Sequence, residues 1–213
     1  MGGVLIPSPL NLYNDLEISK RCDAKTLFSV LLKPPILEHF EAFERGEITA
    51  EEFDEILTNF YNKRNGHTEK CIPLFTSITK ALADIELISE MVDLIKDLRS
   101  AGCKVALLTN NFYADRARKA PTVPKGIEKY FDVVVESCRV GMRKPEPRIY
   151  THICGLLKVQ PEECMFLDDL GVNLKSARAM GITTIKVTSA DKAVKEVREA
   201  LKDQYELPSN PRD

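Results

Sequence analysis

Residues 166–175, FLDDLGVNLK, decide the fold of this chain. A short apolar run ends in two adjacent carboxylates, Asp168 and Asp169, and a glycine then opens a helical pattern. In α/β proteins the carboxyl ends of parallel strands meet at one edge of the sheet, where ligands bind. Because hard carboxylate oxygens suit Mg²⁺, the stretch predicts a parallel-sheet protein with a metal site at this pair. A solvated acidic loop is the alternative interpretation of the same two residues.

Strands and helices alternate on both sides of this stretch. Apolar or β-branched runs predict strands at residues 103–108, 131–135, 164–167 and 183–187. Helical spacing predicts helices at residues 145–157, 172–180 and 190–201, and a helix-like stretch from Asp115. Such alternation indicates an α/β fold, a doubly wound parallel sheet with helices on both faces.

The first part of the chain lacks this alternation and is predicted to be a helical insert. Within it, Thr49 followed by Glu52 has the spacing of a capping box, which marks the start of a helix. The predicted organisation is a core from residues 1–9 and 85–207, a helical cap at 10–84, and a disordered tail at 208–213.

Composition limits the classes of partner. The chain has 213 residues, 44% of them hydrophobic, and a formal net charge of −2. This charge does not favour nucleic acid as a partner. No apolar run approaches the roughly 20 residues of a membrane span. None of the six cysteines forms a CxxC pair, which favours reduced thiols and a cytoplasmic location. The oligomeric state stays open.

Polar residues follow other predicted strands in the same way as the acid pair. Thr109 and Asn110 come directly after an apolar run, and Lys144 precedes a helix start at Pro145. A hydroxyl, an amide and an ammonium group at one sheet edge can bind a phosphate. Taken singly, the first two are also ordinary turn chemistry, and a loop lysine is usually solvated.

Together these residues resemble the second, third and fourth motifs of the haloacid dehalogenase (HAD) superfamily. The resemblance rests on residues 108–110, 136–150 and 166–175 and extends over nearly the whole chain. Within the superfamily, these segments look like the phosphatase domain of soluble epoxide hydrolase. They look equally like the HAD domain of the acyl-CoA dehydrogenase family member 10 type.

The resemblance implies a Mg²⁺-dependent phosphate-monoester hydrolase that forms an aspartyl-phosphate. Its substrate would be a small phosphorylated molecule, and the epoxide hydrolase likeness alone adds a lipid phosphate. The helical cap would close over the site and select that substrate. The implied roles are phosphoryl binding by Thr109 and Asn110, charge neutralisation by Lys144, metal binding by Asp168 and Asp169, and loop ordering by Asn173.

The chain departs from the family at the first motif, which reads Asp-x-Asp-Gly-Val or Asp-Met-Gly-Gly-Val. Here the sequence begins MGGVLIP, so Met1 follows the position of the nucleophile and Gly2 occupies that of the second acid. We expect Met1 to be an internal methionine of a longer protein and the chain as written to be inactive. The alternatives are a non-catalytic HAD-like protein that binds a phosphorylated ligand or a protein partner, and, more distantly, a receiver-like signalling domain.

Overall fold

The computed structural model describes residues 1–8, 29–31, 33–66, 68, 72–82, 85–120 and 122–207. The predicted tail at 208–213 lies outside the described residues, as do residues 10–28 of the predicted cap. Among the helices of the described residues, none combines the length and the apolar character needed to cross a membrane.

Four short parallel strands carry the core. Strand β1 (Ala106–Thr109) pairs with β2 (Val133–Glu136), with Thr109 opposite Glu136. Strand β3 (Met165–Asp168) pairs with β4 (Thr183–Lys186), with Asp168 opposite Lys186. Each strand lies within two or three residues of the position that its apolar run predicts. The parallel α/β fold expected from the sequence is therefore confirmed.

Helices connect these strands and cover them. The segment before β1 is α4 (Ser89–Ser100), whose apolar side buries Met91, Val92, Leu94 and Ile95. Two further helices, α6 (Pro147–Leu157) and α7 (Gly171–Arg178), flank β3 along the chain, and α8 (Ala190–Leu201) follows β4. A single turn of helix, α5 (Ser137–Val140), directly follows β2. Pro147 stands in the first turn of α6, where a missing N–H is harmless.

One predicted helix is absent. Residues 115–120 form bends and turns rather than the helix expected from Asp115. The Asp115 carboxylate accepts hydrogen bonds from the N–H groups of Lys119 and Ala120, as at a helix start, but Arg118 adopts a left-handed φ of 55°. Prolines at positions 121 and 124 also remove donors and disfavour helical conformation before them. The prediction was wrong because this proline spacing outweighs the local capping signal.

The segment predicted to be the cap, and called the cap below, contains in its described part α1 (Ile36–Glu44), α2 (Ala50–Asn65) and α3 (Leu74–Leu82). Thr49 caps α2, and the predicted capping box is present, with Glu52 accepting from the Thr49 N–H at 2.8 Å. The cap core is a cluster of phenylalanines: Phe40, Phe43, Phe53, Phe75 and Phe112. The last of these comes from the loop after β1, so one aromatic side chain of the core domain packs inside the cap.

The two strand pairs share a hydrophobic core without sharing a ladder. Leu107 of β1 and Ile185 of β4 belong to one buried cluster, together with Leu5 near the start of the chain. The Leu5 carbonyl also accepts from the N–H of Ile88, just before α4, at 2.8 Å. Among the described strands, no backbone hydrogen bonds join β1 to β3. The carboxyl ends of these two strands therefore face each other across a gap that side chains bridge.

Candidate functional site

Lys144 bridges the two strand ends. Its Nζ donates to Oδ2 of Asp168 at 2.7 Å and to the carbonyl of Leu108 at 3.1 Å. The side chains of Lys144 and Asp168 are only 5% and 4% exposed, so this ion pair is screened from water. The loop before α6 and the end of β3 thus bring together two residues that the sequence predicted at one site.

The other oxygen of Asp168 is also fully engaged. Its Oδ1 accepts from the Leu170 N–H at 2.8 Å and from Asn173 Nδ2 at 3.0 Å. The Asn173 carbonyl in turn accepts from the buried hydroxyl of Tyr150 on α6 at 2.9 Å. These hydrogen bonds hold the Asp168 carboxylate in one orientation, and Asn173 orders the turn after β3.

Asn110 clamps the backbone of Lys144. Its Oδ1 accepts from the Lys144 N–H at 2.8 Å, and its Nδ2 donates to the Lys144 carbonyl at 2.9 Å. Thr109, buried at the end of β1, directs its hydroxyl to the Asn110 carbonyl at 3.2 Å. The side chain of Asn110 is therefore committed to placing Lys144, and phosphoryl binding by Thr109 and Asn110 stays a prediction.

The first residues of the chain approach the acid pair closely. A Cβ added at Gly3, which has a φ of +72°, would lie 2.4 Å from Oδ2 of Asp169. Burial and the nearby charge of Lys144 lower the pKa of the Met1 amino group to about 5, while Asp168 and Asp169 oppose that shift. Gly2 forms an isolated bridge with Ile6. The predicted supporting residue Gly2 is thus placed beside the site by a tight turn.

The donors at this edge fit a hard cation in part. Asp169 is half-buried beside Asp168, and Mg²⁺ commonly takes one or two carboxylates and completes its shell with water and phosphate oxygens. Asp168 already accepts three hydrogen bonds, so Asp169 is the freer ligand of the two. Among the described residues, no group of three or more His, Cys, Asp or Glu side chains could enclose a metal.

Two residues outside the predicted set complete this site. Arg143 donates through Nε to Glu44 Oε2 at 2.6 Å, and the same oxygen accepts from Asn110 Nδ2 at 3.2 Å. Burial raises the pKa of Glu44, and Arg143 partly offsets this effect. The position of Arg143 next to Lys144 was a usable signal, whereas Glu44 lies in the cap and carried none.

Comparison with known proteins identifies the family. The haloacid dehalogenase-like hydrolase family model matches residues 25–181, which is most of the chain. The chain belongs to the haloacid dehalogenase-like hydrolases. This finding confirms the resemblance that the three motif segments predicted.

Named relatives agree with this assignment. The chain is 35% identical over 202 residues to acyl-CoA dehydrogenase family member 10 of Mus musculus, covering 94% of this chain and 18% of the relative. It is 32% identical over 184 residues to bifunctional epoxide hydrolase 2 of Mus musculus, covering 81% of this chain and 33% of the relative. The chain therefore spans a third or less of the length of these two relatives.

The fold also matches solved HAD structures. A HAD family enzyme of Bacteroides thetaiotaomicron, solved in complex with magnesium and inorganic phosphate, superposes with a TM-score of 0.58 at 23% identity. The match covers 89% of this chain and 92% of that one. At this level of identity the likeness establishes the shared α/β fold.

Proposed function

We propose that this chain carries the phosphate-binding half of a Mg²⁺-dependent phosphate-monoester hydrolase. The contact that supports this most directly is the 2.7 Å ion pair between Lys144 and Asp168, buried at the carboxyl edge of the strands. A buried ammonium beside paired carboxylates is an expensive arrangement for stability alone. In a phosphatase site the ammonium group would neutralise the phosphate and the carboxylates would hold the cation, so both kinds of charge would have a function.

The chain's own residues would divide the work by charge. Lys144 would offset the negative charge of the phosphoryl group, and the Thr109 hydroxyl would hold one phosphoryl oxygen. Asn110 would keep Lys144 in place through the two backbone hydrogen bonds that it makes. Asp169, with Asp168, would hold Mg²⁺, which when bound shields phosphoryl charge during in-line transfer.

The proposed reaction also needs a carboxylate that attacks phosphorus and forms an aspartyl-phosphate while the ester P–O bond breaks and the alcohol leaves. Water would then hydrolyse the aspartyl-phosphate to free carboxylate and phosphate. Among the described residues, no third His, Cys, Asp or Glu joins Asp168 and Asp169 in a group that could hold a metal. A carboxylate joined upstream of Met1, as in the extended chain of the assay below, would supply the nucleophile. The support is geometric, because a Cβ at Gly3 would lie 2.4 Å from Oδ2 of Asp169, so the first residues reach the acid pair.

The proposed substrate is a small phosphorylated molecule, and we include lipid phosphates in that class. A HAD family structure of the same fold holds magnesium and inorganic phosphate, which supports the ligand chemistry. We place the activity in the cytoplasm, on the composition and cysteine usage of the chain.

A phosphatase assay tests the proposal. Two chains are compared with 4-nitrophenyl phosphate and Mg²⁺: the chain as written, and one extended upstream by an apolar strand ending in Phe-Asp. We expect turnover from the extended chain, loss of that turnover on Lys144→Ala, and a strict dependence on Mg²⁺. An extended, folded chain that binds phosphate without turning over the ester would refute the hydrolase.

The second candidate is a non-catalytic protein that binds a phosphorylated ligand or a protein partner. The observation in its favour is that no third His, Cys, Asp or Glu of the described residues joins Asp168 and Asp169 in a group that could hold a metal. Calorimetric titration with inorganic phosphate and Mg²⁺ separates the two candidates when combined with the assay. Binding without turnover in the extended chain favours this second function.

A further inference from the structure

We infer that Glu44, the last residue of cap helix α1, is a positioning residue for Lys144. The inference rests on the proposed function, because it concerns how the phosphate-neutralising ammonium is held. The cap would then help to order the site in addition to covering the substrate. Hydrogen bonds connect Glu44 to Asn110 and Arg143; Asn110 is in turn hydrogen-bonded to Lys144, and Arg143 directly precedes Lys144 in the chain.

The Glu44 carboxylate organises the two neighbours of Lys144 through a single oxygen. Oε2 accepts from Arg143 Nε at 2.6 Å and from Asn110 Nδ2 at 3.2 Å. Arg143 precedes Lys144 in the chain, and Asn110 holds both the N–H and the carbonyl of Lys144. Every polar atom of the Asn110 side chain therefore points either to Lys144 or to Glu44.

Glu44 reinforces the direction in which the Asn110 amide faces. A carboxylate accepts hydrogen bonds and donates none, so it requires the NH₂ group of Asn110 on its own side. The Lys144 N–H and carbonyl require the same orientation. With Glu44 removed, Asn110 and Arg143 would lose the acceptor that they share on the cap side, and the Lys144 backbone would be held less firmly. The cap carboxylate thus strengthens the orientation that fixes Lys144.

The backbone of Glu44 is itself pinned to the core, so its carboxylate is not free to drift. The Ser137 hydroxyl donates to the Glu44 carbonyl at 2.6 Å. Two residues on, a Cβ at Gly46 would lie 2.3 Å from the carbonyl oxygen of Cys138. This approach of cap to core is closer than any side chain would permit. The end of α1 is therefore held in a fixed position beside the site.

Charge supports the same assignment. Glu44 and Arg143 side chains are each 14% exposed, and burial raises the pKa of Glu44 while Arg143, Asn110 and Lys144 all act to lower it. Glu41 makes a similar contact to Arg143, accepting from its Nη1 at 3.2 Å, but is 37% exposed and accepts no hydrogen bond from Asn110 in the described structure. Glu41 is consequently a matched control on the same helix.

The test measures the reactivity of the Lys144 amine in the full chain by competitive acetylation and peptide mass spectrometry. We expect Glu44→Ala to raise the acetylation rate of Lys144 about tenfold, the equilibrium equivalent of one lost hydrogen bond to a charged group at the low end of its range. Glu44→Gln, which keeps one acceptor oxygen, should restore most of the protection. Glu41→Ala should leave the rate within about twofold of wild type, as for an exposed ion pair.

A destabilised cap could expose Lys144 without any positioning role, so a second control is needed. Phe53 is fully buried in the cap cluster and lies on α2, away from this network. Phe53→Leu should weaken the cap and leave Lys144 acetylation unchanged. Equal acetylation in the Glu44→Ala and Phe53→Leu variants would overturn the inference, as would wild-type protection in Glu44→Ala. If Glu44→Ala does not fold, the Glu44→Leu variant, which also lacks an acceptor oxygen, takes its place, and wild-type protection in it is equally contrary.

Because acetylation requires no turnover, its outcome is separate from the proposed function. A rise in Lys144 reactivity without phosphatase activity in the extended chain would leave the positioning role and reject the hydrolase. Turnover by the extended chain, with unchanged Lys144 reactivity in the Glu44 variants, would support the hydrolase and reject the positioning role.

Discussion

Removing the ammonium group of Lys144 should destabilise the fold more than any surface charge does. The Lys144→Met variant keeps the length of the side chain and leaves the Asp168 side chain 4% exposed and without its cation. Breaking a buried pair from one side typically costs about 3–5 kcal/mol. Because Asp168 retains hydrogen bonds from Leu170 and Asn173, we expect the lower end, about 3 kcal/mol.

Urea denaturation followed by far-ultraviolet circular dichroism measures this loss, since the chain has no tryptophan for fluorescence. Lys96→Met is the matched control. Its partner Asp93 lies at a similar 3.0 Å, but the two side chains are 59% and 54% exposed. The free energy of unfolding should change by less than about 0.5 kcal/mol in this control.

A double variant isolates the electrostatic part. Lys144→Met combined with Asp168→Asn removes both charges, so it should be more stable than Lys144→Met alone despite carrying one more substitution. The reasoning fails if Lys144→Met costs under about 1 kcal/mol, because the pair would then behave as a solvated surface contact. It also fails if the double variant is less stable than Lys144→Met alone.

Three further predictions concern other parts of the molecule. Gly3→Ala should lower the free energy of unfolding by about 1–3 kcal/mol, since its Cβ would meet Asp169 at 2.4 Å; Gly102→Ala, with a similar positive φ and open space around it, should lose less in the same urea titration. Burial raises the pKa of Asp54 to about 6, above its unfolded value, so the contribution of Asp54 to stability is complete at low pH and is lost as pH rises from about 4 to 6. The difference in unfolding free energy between wild type and Asp54→Asn should shrink over that window, and a constant difference would contradict the prediction. Phe112→Ala should cost about 2–4 kcal/mol by emptying one place in the cap cluster, measured by the same denaturation, and hydrogen exchange should rise in the cap before it rises in the strands.

Local patterns of the sequence account for much of the fold. The apolar runs before Thr109 and Asp168 predict the strands to within a few residues, because strands buried on both faces of a parallel sheet are continuously apolar. The Thr49–Glu52 capping box is correctly predicted for a similar reason, since it is complete within one helical turn. Parallel connections then place the residues after each strand at one edge.

Where local signals compete, the sequence misled. Asp115 has the chemistry of a helix start and does cap backbone N–H groups, yet the following prolines prevent the helix. The order of the motif residues predicted that Lys144 and Asp168 share a site. It could not predict that their charges meet directly at 2.7 Å, because that distance depends on how the loop before α6 packs against β3.

By itself, then, the sequence determined the class of fold, the strand ends that bear polar residues, and the family to which the chain belongs. Only the tertiary structure decided that Asn110 faces the Lys144 backbone and that Glu44, 66 residues earlier than Asn110, completes the arrangement. The physical reason is the range over which the interactions act. Periodicity and capping act within a few residues of sequence, whereas the buried charge network depends on how the cap packs against the core. The local sequence around Glu44 carries no information about that packing.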